Sequence, residues 1–509
     1  MQALILAAGM GTRLNEYTDK VPKCMVPVNK TPLIERALHS LVKAGIKKVI
    51  IGLGYKGDVL KQFVMELNAK YNWGLDFHFV DNPVYDSTNN IYSLYLTKKE
   101  FVQDDTILLE SDLIFDLDLI KSVAADSSPN LAVVSKFEPW MDGTCTTVDE
   151  NDYITSLVDK SHFKYTQTDS YYKTVNIYKF SKDFIASQYL PFLESYMEVY
   201  GKNEYYETTL KILCNLNPAL LKAFKVSGDL WYEIDDPADL NIADNRFAQS
   251  EEKLRLMQER NGGTWRFPSL LDFSSESNPF FPPQKIVEEL SLSLKDLITK
   301  PTSSNYQKSI LAAKLFKILP ENIAVTDSLE QAGINPHETE SLTIFGEDLG
   351  LFASTAQAVL ASGKKVFVAQ ELGKLLGVPG LGLTVIISSD KELIESLKEN
   401  IPCTTVSSVA EYFLQILEKY KKECKDSLKK CAQETERLYE KLSSLFGQEN
   451  VEKTSLAAVT VKTSRAVDIA EKLLSEYNCY VKSSGETLCV TTRTPENNEL
   501  LFRALERCL

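Results

Sequence analysis

The chain has 509 residues, too many for one ordinary core, so two domains are expected. Hydrophobic residues make up 44% and charged residues 25%, the balance of a soluble globular protein. The net charge of −14 argues against general nucleic-acid binding, and nine cysteines without a CxxC pair, four dispersed histidines and no membrane-length apolar run argue against a disulfide frame, a histidine zinc site and a membrane span.

The chain opens on a strand, "ALILAA", and then a helical pattern, "PLIERALHSLVKAG", stopped by Gly45. "KKVIIGLGY", "DFHFVDN" and "DTILLESDLIF" read as strands, with "GDVLKQFVMELNAKY" and "NIYSLYLTKKEF" as the helices between them. This alternation predicts a parallel sheet covered on both faces. After about residue 131 the strands "LAVVSKF", "CTTVDENDYITSLV" and "YYKTVNIYKF" come closer together and read as antiparallel additions. A helix across "DLNIADNRFAQSEEKLRLMQERNGG" ends at Gly262 and Gly263, so the expected division is a domain over 1–245, a helical linker over 246–263 and a second domain over 264–509. In that second domain a long helix is predicted across 409–446, with Cys424, Leu428, Cys431, Thr435, Leu438, Leu442 and Leu445 as a core-facing stripe. The start lacks the charged-then-apolar layout of a signal peptide, and a reduced, cytoplasmic protein is expected.

The first strand runs into "LAAGMGTRL" and then "PKCMVPV". A strand ending in Gly9 and Gly11 brings backbone N–H groups close to phosphate oxygens, because no Cβ intrudes. Arg13 adds a forked cation and Lys23 a point charge, on a segment stiffened by Pro22 and Pro27. No GK[ST] follows the second glycine, so the motif is not a P-loop, and with Leu14 at the third glycine's place it is not a GxGxxG fingerprint either. Taken alone, the glycines fit a tight strand-to-helix turn equally well.

Together with "DNPVYDSTNNIYSLYL", "LLESDLIF", "KFEPW" and "DLWYEIDDPADL", these motifs resemble the sugar-nucleotide type of nucleotidyltransferase, in particular cytidylyltransferases acting on phosphocholine, phosphoethanolamine or 2-aminoethylphosphonate. The resemblance covers residues 1–245 and implies an α/β fold with a Rossmann-like mixed sheet. It implies CTP held by Leu6, Ala7, Ala8, Gly9, Gly11 and Thr12, with Asn89, Asn90 and Ser111 nearby and Arg13 and Lys23 on the triphosphate. Asn89 and Asn90 are expected to contact the nucleotide or the acceptor, with an N-cap before "IYSLYL" as the alternative. Asp112 and Asp235 match the family's Mg2+ ligands, although Glu110-Ser111-Asp112 stands where the family often has Asp-x-Asp. Two strand-end acids, with phosphate and water completing the shell, suit Mg2+. Trp140, Tyr172, Tyr178, Trp231 and Tyr232, joined by Glu207 and Glu233, fall where the family keeps its acceptor pocket, and aromatic faces attract an ammonium. The implied acceptor is a small phosphorylated amino-alcohol or an aminoalkylphosphonate. A sugar-1-phosphate acceptor is the alternative on the same fold.

The second domain resembles pyridoxal-phosphate (PLP) aminotransferases of the histidinol-phosphate and threonine-phosphate decarboxylase type, through "LLDFSSESNPFFPP", "LPENIAVTDSLEQA", "VFVAQELGKLLGVPGLGL" and "LCVTTRTPENNELL". That implies a truncated α/β fold type I domain and, because the family dimerises, a homodimer through this half. Lys374 takes the Schiff-base position, but Gly373, Gly382 and Cys489 replace the serine and two arginines around it. About a dozen residues separate Ala332 from Phe345 where the family has a far longer block, and the ring-nitrogen acid has only Glu347 or Asp348 as counterparts. PLP is therefore not expected, and an active aminotransferase or decarboxylase is the rival from another class.

Overall fold

A computed structural model describes residues 1–333, 356–357, 360–361 and 367–509. The chain divides into two units, Met1–Ala248 and Gln249–Leu509.

The first unit is built on a nine-stranded mixed sheet. Its parallel half sets Gln2–Ala7 between Lys48–Leu53 and Thr106–Glu110, with Asp76–Asp81 outside Lys48–Leu53. Ala3 lies opposite both Val49 and Ile107, so the strand is hydrogen-bonded on both edges. Every residue of Gln2–Ala7 is buried, because helices cover both faces. Ala3, Ile5 and Ala7 pack with Ile34, Leu38 and Leu41 of the helix Leu33–Lys43, whereas Leu4 and Leu6 pack with Ile91 and Leu94 of the helix Asn90–Leu96. The pleat alone sorts the apolar run onto two cores. Beyond Thr106–Glu110 the sheet turns antiparallel: Tyr172–Phe180 pairs with it, Leu131–Lys136, Cys145–Val148 and Ile154–Val158 continue outward, and Lys222–Val226 adds parallel to Leu131–Lys136. The strand Tyr172–Phe180 is bulged between Thr174 and Tyr178, and Asn176 there has φ of 60°.

In the second unit, Ile323–Thr326, Thr384–Ser388 and Phe367–Glu371 form one antiparallel sheet. Val451–Ser455, Ala458–Lys462, Thr487–Thr491 and Lys482–Ser484 form another. The long helix expected over 409–446 is interrupted: Ser408–Leu417 ends in a 3-10 turn at Glu418–Tyr420, and Lys421–Phe446 follows. Cys424, Leu428, Cys431, Thr435, Leu438 and Leu442 are buried along it as the stripe predicted, with Leu445 only partly so. The single helix expected across 239–263 is two, Pro237–Arg246 and Ser250–Arg260; the second, within the stretch read as a helical linker, packs on the helix Ala466–Tyr477 and donates from Gln258 to the Ser483 carbonyl at 3.1 Å. Leu254 and Met257 are its buried anchors, an apolar pair that a free linker has no reason to keep.

Candidate active site

A cavity of about 770 Å3 opens at the carboxyl end of the parallel strands in the first unit. Leu6, Ala8, Gly9, Gly11, Thr12 and Arg13 line one side of it. A Cβ on Gly9 would meet nothing within 4 Å, so this turn presents open backbone. Gly11 is constrained differently: its φ is +63°, and a Cβ there would lie 3.0 Å from Lys23 Cβ. Gly11 therefore clears the path for Lys23 as well as opening backbone to a ligand. Gly54, which the sequence reading did not single out, lets the neighbouring loop close in, since a Cβ on it would stand 2.6 Å from the Ala8 carbonyl oxygen.

Lys23 is the hub of the site. Its Nζ donates to Asp112 Oδ2 at 2.7 Å and to Asp235 Oδ1 at 2.8 Å, and its side chain is 13% exposed. Arg13 Nη2 reaches the same Asp235 oxygen at 2.8 Å. Burial works to lower the Lys23 ammonium, but the two carboxylates outweigh it and hold the group above the ordinary lysine value. Burial likewise works to raise Asp235, and Lys23 and Arg13 hold it below the usual carboxylate range.

Two acids 123 residues apart (235 − 112) meet because a short ribbon joins their segments. Leu113–Phe115 pairs antiparallel with Trp231–Glu233, setting Leu113 opposite Glu233, and Ile234 N–H donates to the Asp112 carbonyl at 3.0 Å. The turn after Asp235 is fixed by a reciprocal cap in which Asp236 accepts from the Ala238 and Asp239 N–H groups, and Pro237 starts the helix Pro237–Arg246. Asp239 Oδ2 also accepts the Asp235 N–H at 3.0 Å.

Two observations bear on the expected metal. Asp112 Oδ1 is buried without a hydrogen-bond partner, an expensive state for a carboxylate oxygen. Among the described residues, no three His, Cys, Asp or Glu side chains form a ready-made cage. Asp112 with Asp235 thus fits a cation such as Mg2+, which takes few protein ligands and fills its shell from phosphate and water.

Asn89, Asn90 and Ser111 also line the cavity. Asn89 caps its helix by accepting from Asn90 N–H. Asn90 Nδ2 donates to Glu110 Oε1 at 3.1 Å, and its Oδ1 accepts from Tyr206 N–H at 3.0 Å. Burial, then Asp112, Glu207 and Glu233, push the Glu110 carboxyl up. Ala7 lies inside the strand at 2% exposure and is not part of the lining.

The acceptor side differs from expectation. Glu207 and Glu233 line the cavity, but Trp140, Tyr172, Tyr178 and Tyr232 do not. Trp140 stacks on Tyr232 with centroids 4.5 Å apart, under the Arg246 guanidinium, and donates from Nε1 to Glu138. Tyr172 carries Lys136 and Lys225 over its ring. Trp231 and Tyr178 are core residues at 0% exposure. Half-buried strand aromatics found partners inside the protein, the ordinary outcome for such residues. Only the Tyr178 hydroxyl reaches the site, donating to Glu207 Oε1. The lining there is polar instead: Thr144, Asp159, Lys160, Lys173, Asn176 and Lys211 stand beside the two glutamates. Lys173 and Asn176 were missed, although both lie in "YYKTVNIYKF"; buried polar residues at Lys173, Thr174, Asn176 and Lys179 of one strand were the available signal.

In the second unit Lys374 sits on the short helix Leu372–Leu375, 45% exposed, with Nζ 2.7 Å from Glu371. Arg493 does not face open space: its donors reach the carbonyls of Asp272, Thr492 and Ser275. Glu347 and Asp348 lie outside the described residues.

A strand-end glycine turn, two cations and two convergent acids define a site for a polyanion. Comparison with known proteins gives it a family. Residues 2–232 match the nucleotidyl transferase family, and residues 343–505 match aminotransferase class I and II. The chain is 33% identical to the D-glycero-α-D-manno-heptose 1-phosphate guanylyltransferase of Campylobacter jejuni, over 31% of this chain and 69% of that one. It is 24% identical to the CMP-5'-(3-aminopropyl)phosphonate synthase of Streptomyces rubellomurinus, over 99% of this chain and 94% of the relative. It is also 28% identical to the CTP:phosphoglutamine cytidylyltransferase of C. jejuni, over 48% of this chain and 98% of that one. The chain belongs to the nucleotidyl transferase family.

Proposed function

We propose that the first unit transfers CMP from CTP to a small amino-containing phosphate or phosphonate, releasing pyrophosphate. The observation that carries this is Lys23 bridging Asp112 and Asp235 beside the Gly9–Gly11 turn. The match to a CMP-phosphonate synthase along nearly the whole chain supports the choice of CMP and of an aminoalkyl acceptor.

The acceptor's phosphate or phosphonate oxygen attacks the α-phosphorus in line, and the bond to the pyrophosphate leaving group breaks. That oxygen is already largely ionised near neutral pH, so no general base is needed. Lys23 and Arg13 neutralise charge on the triphosphate, and the backbone of Gly9 and Gly11 positions it. A Mg2+ ion held by Asp112 and Asp235 supplies further charge neutralisation when bound. Pyrophosphate release, measured across the four ribonucleoside triphosphates and a set of phosphate and phosphonate acceptors, tests the assignment. CTP with an aminoalkyl acceptor is expected to be fastest, and preference for a sugar 1-phosphate overturns it. EDTA is expected to abolish turnover and Mg2+ to restore it.

The second unit we take as non-catalytic and dimer-forming. Its surface-paired Lys374 supports the first part, and a dimer mass for the full chain in light scattering would support the second. A yellow absorbance band lost in Lys374→Ala would overturn the non-catalytic reading. Nine free thiols, and no described helix long and apolar enough to cross a membrane, support a reducing cytoplasmic location.

A further inference from the structure

The helix Gln284–Thr299 of the second unit carries two apolar stripes, and its own fold uses one of them. Ile286 is fully buried, with Leu290 and Leu297 partly buried beside it. This side rests on the helix Ser408–Leu417. Hydrogen bonds pin it there: the Ser408 hydroxyl donates to the Leu297 carbonyl, and Glu289 accepts from Lys419 and, at 2.9 Å, from the Tyr420 hydroxyl. The directions of the remaining side chains on the helix are thereby set.

A second stripe lies beside that contact and is left open. Val287, Leu294 and Ile298 are 41%, 44% and 68% exposed. With Ser291 between them the spacing is four, three and four residues, which lines them up along one side of the helix over roughly 16 Å. Ser291 suits an apolar neighbour, because its hydroxyl is spent on the Val287 carbonyl at 2.7 Å. Apolar residues exposed singly are ordinary, but three in heptad register form a seam of the kind that packs against another helix.

The charges beside the seam indicate which helix. Glu288 and Lys295 each follow a seam residue directly and stand seven residues apart, so they flank the seam on one side. Among the described residues neither is in an ion pair, whereas Asp296, turned away from the seam, takes Lys300 at 3.0 Å. When a second copy of the helix is laid antiparallel across a two-fold axis, Val287 meets Ile298 of that copy and Leu294 meets its Ser291, a large residue against a small one. The same register brings Glu288 to Lys295 of the second copy, and Lys295 to its Glu288. The seam is thus complementary to itself in shape and in charge. A membrane surface would favour a flank of lysines and arginines, and this flank carries one charge of each sign.

We infer that Gln284–Thr299 is a two-fold contact of the homodimer, packed antiparallel against the same helix of a second copy of this chain. The inference rests on the dimer-forming reading of the second unit above and names the surface that does it.

The test follows the mass of the full chain by sedimentation equilibrium across a range of concentrations, with circular dichroism as the check on folding. The unaltered chain should sediment at twice its own mass. Leu294→Asp, which buries a charge in the seam, should weaken the dimer by about a hundredfold or more. Leu292→Asp should leave it unchanged, because Leu292 is 88% exposed but lies off the seam. Glu288→Lys faces Lys295 of the second copy and should weaken the dimer at least about tenfold, and adding Lys295→Glu to it should restore the original affinity. A dimer that survives both Leu294→Asp and Glu288→Lys overturns the inference alone. So does an exchanged Glu288→Lys/Lys295→Glu pair that dimerises no better than Glu288→Lys, or a Leu292→Asp loss as large as that of Leu294→Asp. A monomer mass for the unaltered chain overturns the dimer-forming reading and this one with it.

Discussion

Lys23 and Lys374 are the lysines on which chemistry would turn in the two units, and their surroundings are opposite. Lys23 is 13% exposed and lies between two carboxylates from remote parts of the chain. Lys374 is 45% exposed and pairs with Glu371 three residues away on its own segment. An exposed pair of that kind contributes little and asks little of the fold. Enclosing an ammonium with two acids costs desolvation, and the ribbon between Leu113–Phe115 and Trp231–Glu233 exists in part to keep those acids together. A matching residue type therefore says less than the number of independent segments that converge on it. By that measure remote segments converge on Lys23, whereas Lys374 is met by its own segment.

The sharpest way to break this contrast is to remove each lysine in turn. Lys23→Ala should lower CTP-dependent pyrophosphate release by about 100- to 1000-fold, the cost of losing one preorganised charge donor. Lys374→Ala should leave that rate unchanged. Comparable losses in the two variants would dissolve the distinction between the units.

The glycine turn sharpens the contrast within the first unit. Gly11→Ala forces a side chain into φ of +63° and against Lys23, so a loss of about 1–2 kcal/mol of stability is expected together with a marked fall in kcat. Gly9→Ala meets no protein atom within 4 Å, so its melting temperature should hold while the KM for CTP rises. Thermal melts and steady-state kinetics on the two variants separate the roles. A destabilised Gly9→Ala would show that the turn is merely tight.

In the second unit the expectation is reversed. Arg493 braces the segment around Asp272 and Ser275 against the end of the strand Thr487–Thr491. Arg493→Ala leaves those carbonyls short of donors and should cost about 1–3 kcal/mol in a denaturant melt, with CTP turnover at saturating substrate unaffected. A stable Arg493→Ala protein would mean that the brace is not a structural element.

How much of this was legible in the sequence follows from what each feature depends on. The parallel half of the sheet was readable because Gln2–Ala7 and its neighbours are apolar on both faces, a pattern only a doubly covered sheet requires. The glycine turn, Arg13, Lys23 and the two aspartates were readable as a motif, but that one ammonium bridges both acids depends on a three-residue ribbon that no periodicity reveals. The acceptor side was misread at its aromatic residues. Alternation along a strand gives a side chain two directions, and composition does not say which core will claim a tyrosine; Tyr178 went inward and left only its hydroxyl at the site. One helix was expected across 239–263 and the structure has two, Pro237–Arg246 and Ser250–Arg260; the second one's attachment to Ala466–Tyr477 is a contact between residues more than 200 positions apart, as Gln258 and Ser483 show.

The smallest expected effect tests that correction directly. Tyr172 lies outside the cavity lining, beneath the ammonium groups of Lys136 and Lys225 at 4.9 and 5.1 Å from its ring centre. Tyr172→Leu removes two cation–π contacts at a partly exposed strand position, a change that stays within about 0.5 kcal/mol for a surface substitution. The acceptor KM should then move by less than about twofold, since 1.4 kcal/mol is needed for a factor of ten. An aromatic cage around the acceptor's nitrogen predicts a far larger rise, concentrated in trimethylammonium acceptors. Measured on phosphocholine and 2-aminoethylphosphonate side by side, Tyr172→Leu decides whether the ring has any part in recognition or only packs beneath Lys136 and Lys225 of the strands Leu131–Lys136 and Lys222–Val226.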